Sequence, residues 1–110
     1  MEETINIDLP NFKKTYKVKW SEEINVDVLN KAKQVNGILF NEDGKILIIN
    51  IIGNWQLPGG HIEKNESYEE GLRREIFEEA DVEVDHITSF GYLRIAEIKN
   101  GALQPESIQI

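Results

Sequence analysis

The chain contains no cysteine in its 110 residues. That absence excludes a disulfide framework, thiolate catalysis and any zinc site built on sulfur. Histidine is scarce, with only His61 and His86, so any metal would have to be held mainly by oxygen. No apolar run approaches the ~20 residues that a membrane span needs. The opening MEETINIDLP is acidic and lacks a basic-then-apolar leader. A cytoplasmic address and no membrane partner are therefore expected. Basic residues are few: 12 Lys and Arg stand against 20 Asp and Glu, for a formal charge of −8. Such a surface repels DNA and RNA phosphates, and DNA binding is not expected. There is no internal repeat, low-complexity linker, P-loop, dinucleotide fingerprint or Ser-His-Asp arrangement.

What remains is the composition of a globular chain, 40% apolar and 29% charged, sufficient for one domain with a modest core. Residues 1–14 show no clear period and read as loose or draped. Tyr16, Val18 and Trp20 alternate with Thr15, Lys17 and Lys19, as in a half-buried strand. Residues 21–34 fit two patterns, a short helix capped by Ser21 or a strand through Ile24, Val26 and Val28. Val35–Phe40 and Lys45–Ile52 are strand-like, joined by the hairpin turn Asn41-Glu42-Asp43-Gly44. Gly53-Asn54 opens a loop, Trp55-Gln56-Leu57 is extended, and Pro58-Gly59-Gly60 reads as a turn. A helix over about 67–80 follows. Val82–Val84, Ile87–Ile98 and Ser107–Ile110 read as strands, with a hairpin signal at Asn100-Gly101. The expected division is a lead-in of residues 1–34 with one strand, and a domain over 35–110.

The helix carries the most information. Ser67 and Glu70 form a capping box. Glu69–Arg73 and Glu70–Arg74 have the favourable i,i+4 orientation. Tyr68, Leu72, Ile76 and Ala80 make the apolar stripe that faces a core. Glu75 and Glu79 run along the edge of that stripe, with Glu78 beside them. Carboxylates crowded there repel one another, and burial worsens the repulsion. Either the face is solvated and paired with cations, or a divalent ion sits among the carboxylates. Oxygen donors alone favour Mg²⁺ first and Mn²⁺ second.

Residues 60–82, GHIEKNESYEEGLRREIFEEADV, place Gly60, Glu66, Arg74, Glu75, Glu78 and Glu79 at fixed spacings. Six such residues at such spacings arise by chance with odds of roughly 10⁻⁴. This stretch resembles the box of the Nudix hydrolases and misses it at one position, where Asp81 stands for a glycine. The resemblance implies an α/β fold, a mixed sheet in an α/β/α sandwich with the box helix packed on it. It implies Mg²⁺-dependent hydrolysis of a pyrophosphate bond in a nucleoside diphosphate linked to another group. It makes Glu75, Glu78 and Glu79 metal ligands, with Glu79 central and a candidate for deprotonating the attacking water. Arg74 would orient Glu79 by a charge-assisted hydrogen bond, or else pair on the surface with Glu70 or Glu78. Glu66 would tie loop to helix. Gly59 and Gly60 would let the backbone approach the site, with the Gly60 carbonyl a candidate ligand, or would serve only a tight turn. Family domains carry further strands and a second helix beyond this point, so the resemblance also implies that the 110 residues are a shortened domain.

Asp81 tolerates the left-handed conformation that the family glycine adopts, at a cost of roughly 1 kcal/mol. Trp55 stands where it could stack a base or fill a core. His61 could touch phosphate or pack in its loop, and His86 reads as surface. Tyr16 and Trp20 fit a strand face or a homodimer contact. Two other classes share the implied fold: a nucleotide-binding or regulatory module without turnover, and an isoprenoid diphosphate isomerase. The known versions of the isomerase need a cysteine, which this chain lacks.

Overall fold

The computed structural model describes residues 2–9 and 14–110, with the side chains of Thr4 and Asn6 alone described in the first stretch. Its elements are β1 (Glu2–Leu9), β2 (Lys14–Ser21), α1 (Val26–Lys31), β3 (Ala32–Asn36), β4 (Ile49–Ile51), β5 (Asn54–Gln56), β6 (Gly59–His61), α2 (Tyr68–Ala80), β7 (Tyr92–Lys99), β8 (Ala102–Leu103) and β9 (Ser107–Gln109). The class is α/β, as the resemblance implied. Contacts divide the chain into two units, one of residues 1–33 with 89–110 and one of residues 34–88.

In the first unit β1 pairs antiparallel with β2 along its whole length, from Glu2↔Ser21 to Leu9↔Lys14. Residues 2–9 are thus a strand, where the sequence shows no clear period. Backbone pairing with a well-patterned neighbour suffices to order them. β2 pairs with β7, and β7 pairs with β8 and β9, all antiparallel. Asn100 and Gly101, both at positive φ, form the β7–β8 turn that the Asn-Gly signal predicts. The ambiguity at 21–34 resolves in two steps. Ser21 ends β2, and Asn25 caps α1, its side chain accepting from the Val28 amide at 2.9 Å. Val28 then packs with Tyr92 and Ile108, flanked by Ile24, Ala32 and Ile110.

In the second unit the Asn41–Gly44 turn is present. Phe40 bridges Ile46, and the Asn41 carboxamide oxygen accepts from the amides of Asp43 and Lys45 at 2.9 Å each. The Lys45–Ile52 run ends in a tight hairpin between β4 and β5, its turn formed by Ile52 (φ 51°) and Gly53 (φ 81°). The expected loop at Gly53-Asn54 is therefore a two-residue turn of the primed type. The expected turn at Pro58-Gly59-Gly60 is instead strand β6, paired through Val35↔Gly60 and Asn36↔Gly59. No side-chain pattern can announce a strand of glycines. The expected strand at 82–84 and the start of the one at 87–98 are irregular; regular pairing begins at Tyr92.

The predicted stripe of α2 faces inward, with Leu72 and Ile76 buried and Tyr68 and Ala80 half-buried. Its capping box is complete: Ser67 Oγ accepts from the Glu70 amide and Glu70 Oε1 from the Ser67 amide, each at 3.1 Å. At the other end Asp81 is left-handed (φ 54°, ψ 41°), and its amide donates to the Phe77 carbonyl at 2.9 Å. Among the described residues no helix is long and apolar enough to cross a membrane.

Candidate active site

The site lies in the 34–88 unit, where β6 faces the middle and C-terminal turns of α2. Two glycines make the approach feasible. Gly59 has φ 149°, and a Cβ there would fall 2.2 Å from the Val35 carbonyl oxygen. A Cβ on Gly60 would fall 2.7 Å from the Glu75 carboxylate. Gly59 therefore permits β3 and β6 to pair, and Gly60 permits the Glu75 carboxylate to lie directly on the strand. Neither serves only a turn.

Arg74 organises the acidic side chains. Its Nε donates to Glu66 Oε2 at 2.8 Å and its Nη2 to Glu66 Oε1 at 3.0 Å, a bidentate pair. Nη2 also donates to the His61 carbonyl at 3.0 Å. Nη1 is shared by Glu75 Oε1 at 3.1 Å and Glu78 Oε2 at 3.3 Å, with Glu63 at 3.7 Å. Glu66 Oε1 accepts in addition from the Glu63 amide at 3.0 Å. Arg74 beside it, and then that amide, hold the Glu66 carboxyl below the usual carboxylate range. The surrounding carboxylates, Glu66 foremost, push the Arg74 guanidinium further up, so it is always charged.

Three sequence expectations are corrected here. Arg74 bonds Glu66, Glu75 and Glu78; the hydrogen bond that fixes Glu79 comes instead from the Gly59 amide, at 3.1 Å to Oε1. The Glu70–Arg74 pair gives way to the capping box on one side and to Glu66 on the other. Arg73, expected to pair with Glu69, donates to the Val84 carbonyl. The reason is common to all three. Backbone groups at a helix end or strand edge, and a carboxylate already fixed by a loop, offer better geometry than an exposed i,i+4 partner.

A hard divalent cation can be tested against these residues. The donors are of the right kind, carboxylates with a backbone carbonyl nearby. Glu75 and Glu79 touch adjacent residues of β6, Gly60 and Gly59, so they fit in neighbourhood as well. They are not converged: among the described residues no three Asp, Glu or His side chains are arranged to hold a metal ion. Arg74 Nη1 lies between Glu75 and Glu78 and offsets their repulsion. The crowding of carboxylates is thus relieved in part by a cation of the chain itself, and does not by itself demand a metal.

Of the remaining candidates, Trp55 is exposed on β5 and fills no core. His61 is exposed, its Nε2 3.5 Å from the Gln34 side-chain nitrogen, and His86 is exposed in the irregular segment. Sequence reasoning missed the His61 carbonyl and Glu63 as partners of Arg74. The first is a backbone group and carries no side-chain signal.

Comparison with known proteins places these observations in a family. The model of the NUDIX domain matches residues 30–104. The chain belongs to the Nudix family. Among curated proteins it is similar to a "MutT-like protein" of Streptomyces ambofaciens, 45% identical over 58 residues, which cover 49% of this chain and 38% of that relative. The chain thus spans well under half the length of the curated relative it matches. No solved structure matches it.

Proposed function

We propose that the protein hydrolyses a pyrophosphate bond in a nucleoside diphosphate linked to another moiety, with Mg²⁺ as cofactor and Mn²⁺ as substitute. The observation that carries this reading is the contact of two box carboxylates, Glu75 and Glu79, with the same glycine pair on β6. A helix and a strand are held together there by acidic groups, an arrangement suited to polyphosphate chemistry and poorly explained by stability alone. Glu75, Glu78, Glu79 and the Gly60 carbonyl would hold the metal. When bound, it would neutralise the diphosphate oxygens and lower the pKa of a water.

The chain's own groups take the other roles. The Gly59 amide engages Glu79 Oε1 and so orients that carboxylate, leaving Oε2 to receive the proton of the attacking water. Oxygen of that water bonds to phosphorus, the bridging P–O bond breaks, and a phosphate ester leaves with the second phosphorylated product. Arg74 positions Glu75 and Glu78 on the helix while its bidentate hold on Glu66 braces the loop before it. Trp55, exposed beside the turn, is available to stack a base.

Phosphate release from a panel of nucleotides, coupled to a phosphatase, with Mg²⁺ and then with EDTA, tests the reading. Glu79→Gln keeps the acceptor for the Gly59 amide and removes the proton acceptor, so turnover should fall at least ~100-fold with the fold unchanged. Unchanged turnover would mean that Glu79 has no such role. A second reading, a nucleotide-binding module without turnover, is favoured by the unconverged carboxylates. It would be established by nucleotide binding with no product at any metal concentration.

A further inference from the structure

The unit of residues 1–33 and 89–110 holds a basic hollow on one face of its sheet. The registers set Thr4, Lys19, Arg94 and Ile108 in one row across β1, β2, β7 and β9. Two residues along, on the same face, the row is Asn6, Lys17 and Ala96. Ala96 is buried, and its methyl group leaves room between longer neighbours. Lys17, Lys19, Arg94, Leu103 and Glu106 surround it and enclose about 140 Å³. Arg94 is anchored there. Its guanidinium lies 5.6 Å from the centre of the Tyr92 ring, and its Nη2 donates to Tyr92 Oη at 3.5 Å. Tyr92 in turn packs in the core with Val28 and Ile108. The unit's eight basic and eight acidic side chains are not spread evenly, for three of the basic ones and one of the acidic ones line the hollow. Lys19 stands directly opposite Arg94. Like charges so placed destabilise a sheet, and an anion lying over both reverses the sign.

We propose that this hollow binds a phosphate or diphosphate anion. It is made of none of the residues placed in the active site, and it is independent of the proposed hydrolysis. Size limits the ligand. The volume is roughly ten times the ~10–15 Å³ that one water needs, and well under the ~300 Å³ of the smaller ligand pockets. One or two phosphoryl groups fit, and a base with its sugar does not. Charge selects among small anions. Three cations against one carboxylate favour a multiply charged anion, and the planar Arg94 fork suits phosphate oxygens. Thr4 and Asn6, exposed beside Lys19 and Lys17, add a hydroxyl and a carboxamide as neutral donors. A nucleic-acid backbone is disfavoured by the −8 of the whole chain. A single small anion is held at contact distance, well inside the ~10 Å over which salt screens the rest. The anion is either free or the phosphate end of a nucleotide.

Isothermal titration calorimetry of the full chain with sodium phosphate, sodium pyrophosphate and ADP tests it, in EDTA and at an ionic strength fixed with NaCl. EDTA removes any divalent ion from the box carboxylates, so the binding measured is not theirs and does not depend on turnover. The expected result is saturable 1:1 binding of pyrophosphate, tighter than that of phosphate and weakening as NaCl is raised. Arg94→Gln and Lys17→Gln should each weaken it at least ~10-fold, with unchanged far-ultraviolet circular dichroism. Lys17 is exposed, so its variant decides the matter if the Arg94 variant does not fold. Glu106→Gln should tighten binding a few-fold, a gain that a merely structural role would not give. Lys31→Gln removes the same charge outside the hollow and should leave the affinity unchanged. ADP bound as tightly as pyrophosphate supports the site as a seat for the phosphate end of a nucleotide, and pyrophosphate bound alone supports it as a seat for the free anion. Saturable binding of none of the three overturns the proposal. So does an equal loss in Lys31→Gln and Lys17→Gln, since the attraction would then belong to overall charge.

Discussion

Arg74 spends all of its hydrogen-bonding geometry on acids and one carbonyl, and each nitrogen has its own task. Lysine offers a point charge in place of this planar fork. The Glu66 end of the pair gives a pH test. The folded protein holds Glu66 below its ordinary range, so the folded state binds its proton less readily than the unfolded chain does. The stabilisation is present above the unfolded pKa and is lost as pH falls through the folded one. Urea denaturation of the native protein and of Glu66→Gln from neutral to acid pH should show a gap that closes below the ordinary glutamate range. A gap independent of pH would assign Glu66 a packing role only. Ile52 offers a test of the opposite sign. A β-branched residue at φ 51° in a two-residue hairpin turn, 96% exposed, is strained and packs against little. Asparagine suits that position, and Ile52-Gly53 would become the favoured Asn-Gly pair. Ile52→Asn should stabilise by about 1 kcal/mol, raising Tm by about 5 °C.

At the scale of elements, α2 shows most clearly what side chains can announce. Its start, its stop and its buried stripe all follow from residues that act locally. Ser67→Ala removes an acceptor from the Glu70 amide and should cost about 1 kcal/mol. Asp81→Gly removes both the left-handed strain and a negative charge at the helix C-terminus, and should return about the same amount. Thermal denaturation of both variants checks the signs. The strands divide by the same logic. β2 was legible because Tyr16, Val18 and Trp20 alternate with Thr15, Lys17 and Lys19. β6 was not, because Gly59 and Gly60 have no side chains with which to alternate, and its pairing is dictated by β3. β1 is ordered by the length of its register with β2. In the site, the acids and Arg74 were legible as a set from their spacing. Which acid Arg74 takes was not, since a long flexible side chain reaches several carboxylates and the loop that fixes Glu66 decides among them.

For the molecule as a whole, charge is divided unevenly. Residues 1–33 and 89–110 hold eight acidic and eight basic side chains, while residues 34–88 carry the entire −8. Self-repulsion within that unit lowers its stability, and any added cation will raise its melting temperature by screening. Specific binding of a divalent ion adds a mass-action term that screening cannot imitate, about 2.7 kcal/mol at a hundred times the dissociation constant. The two are separated by comparing Mg²⁺ with NaCl at equal ionic strength. If Glu75, Glu78 and Glu79 converge on the ion, Mg²⁺ should raise Tm beyond the matched NaCl control. The excess should vanish in the Glu75→Gln, Glu79→Gln double variant while the response to NaCl remains. Equal shifts in the two salts would mean that Arg74 alone balances these carboxylates. The site would then hold no metal in the absence of substrate, and a polyphosphate would have to bring the ion with it, as Mg²⁺ commonly does when bound by only one or two carboxylates.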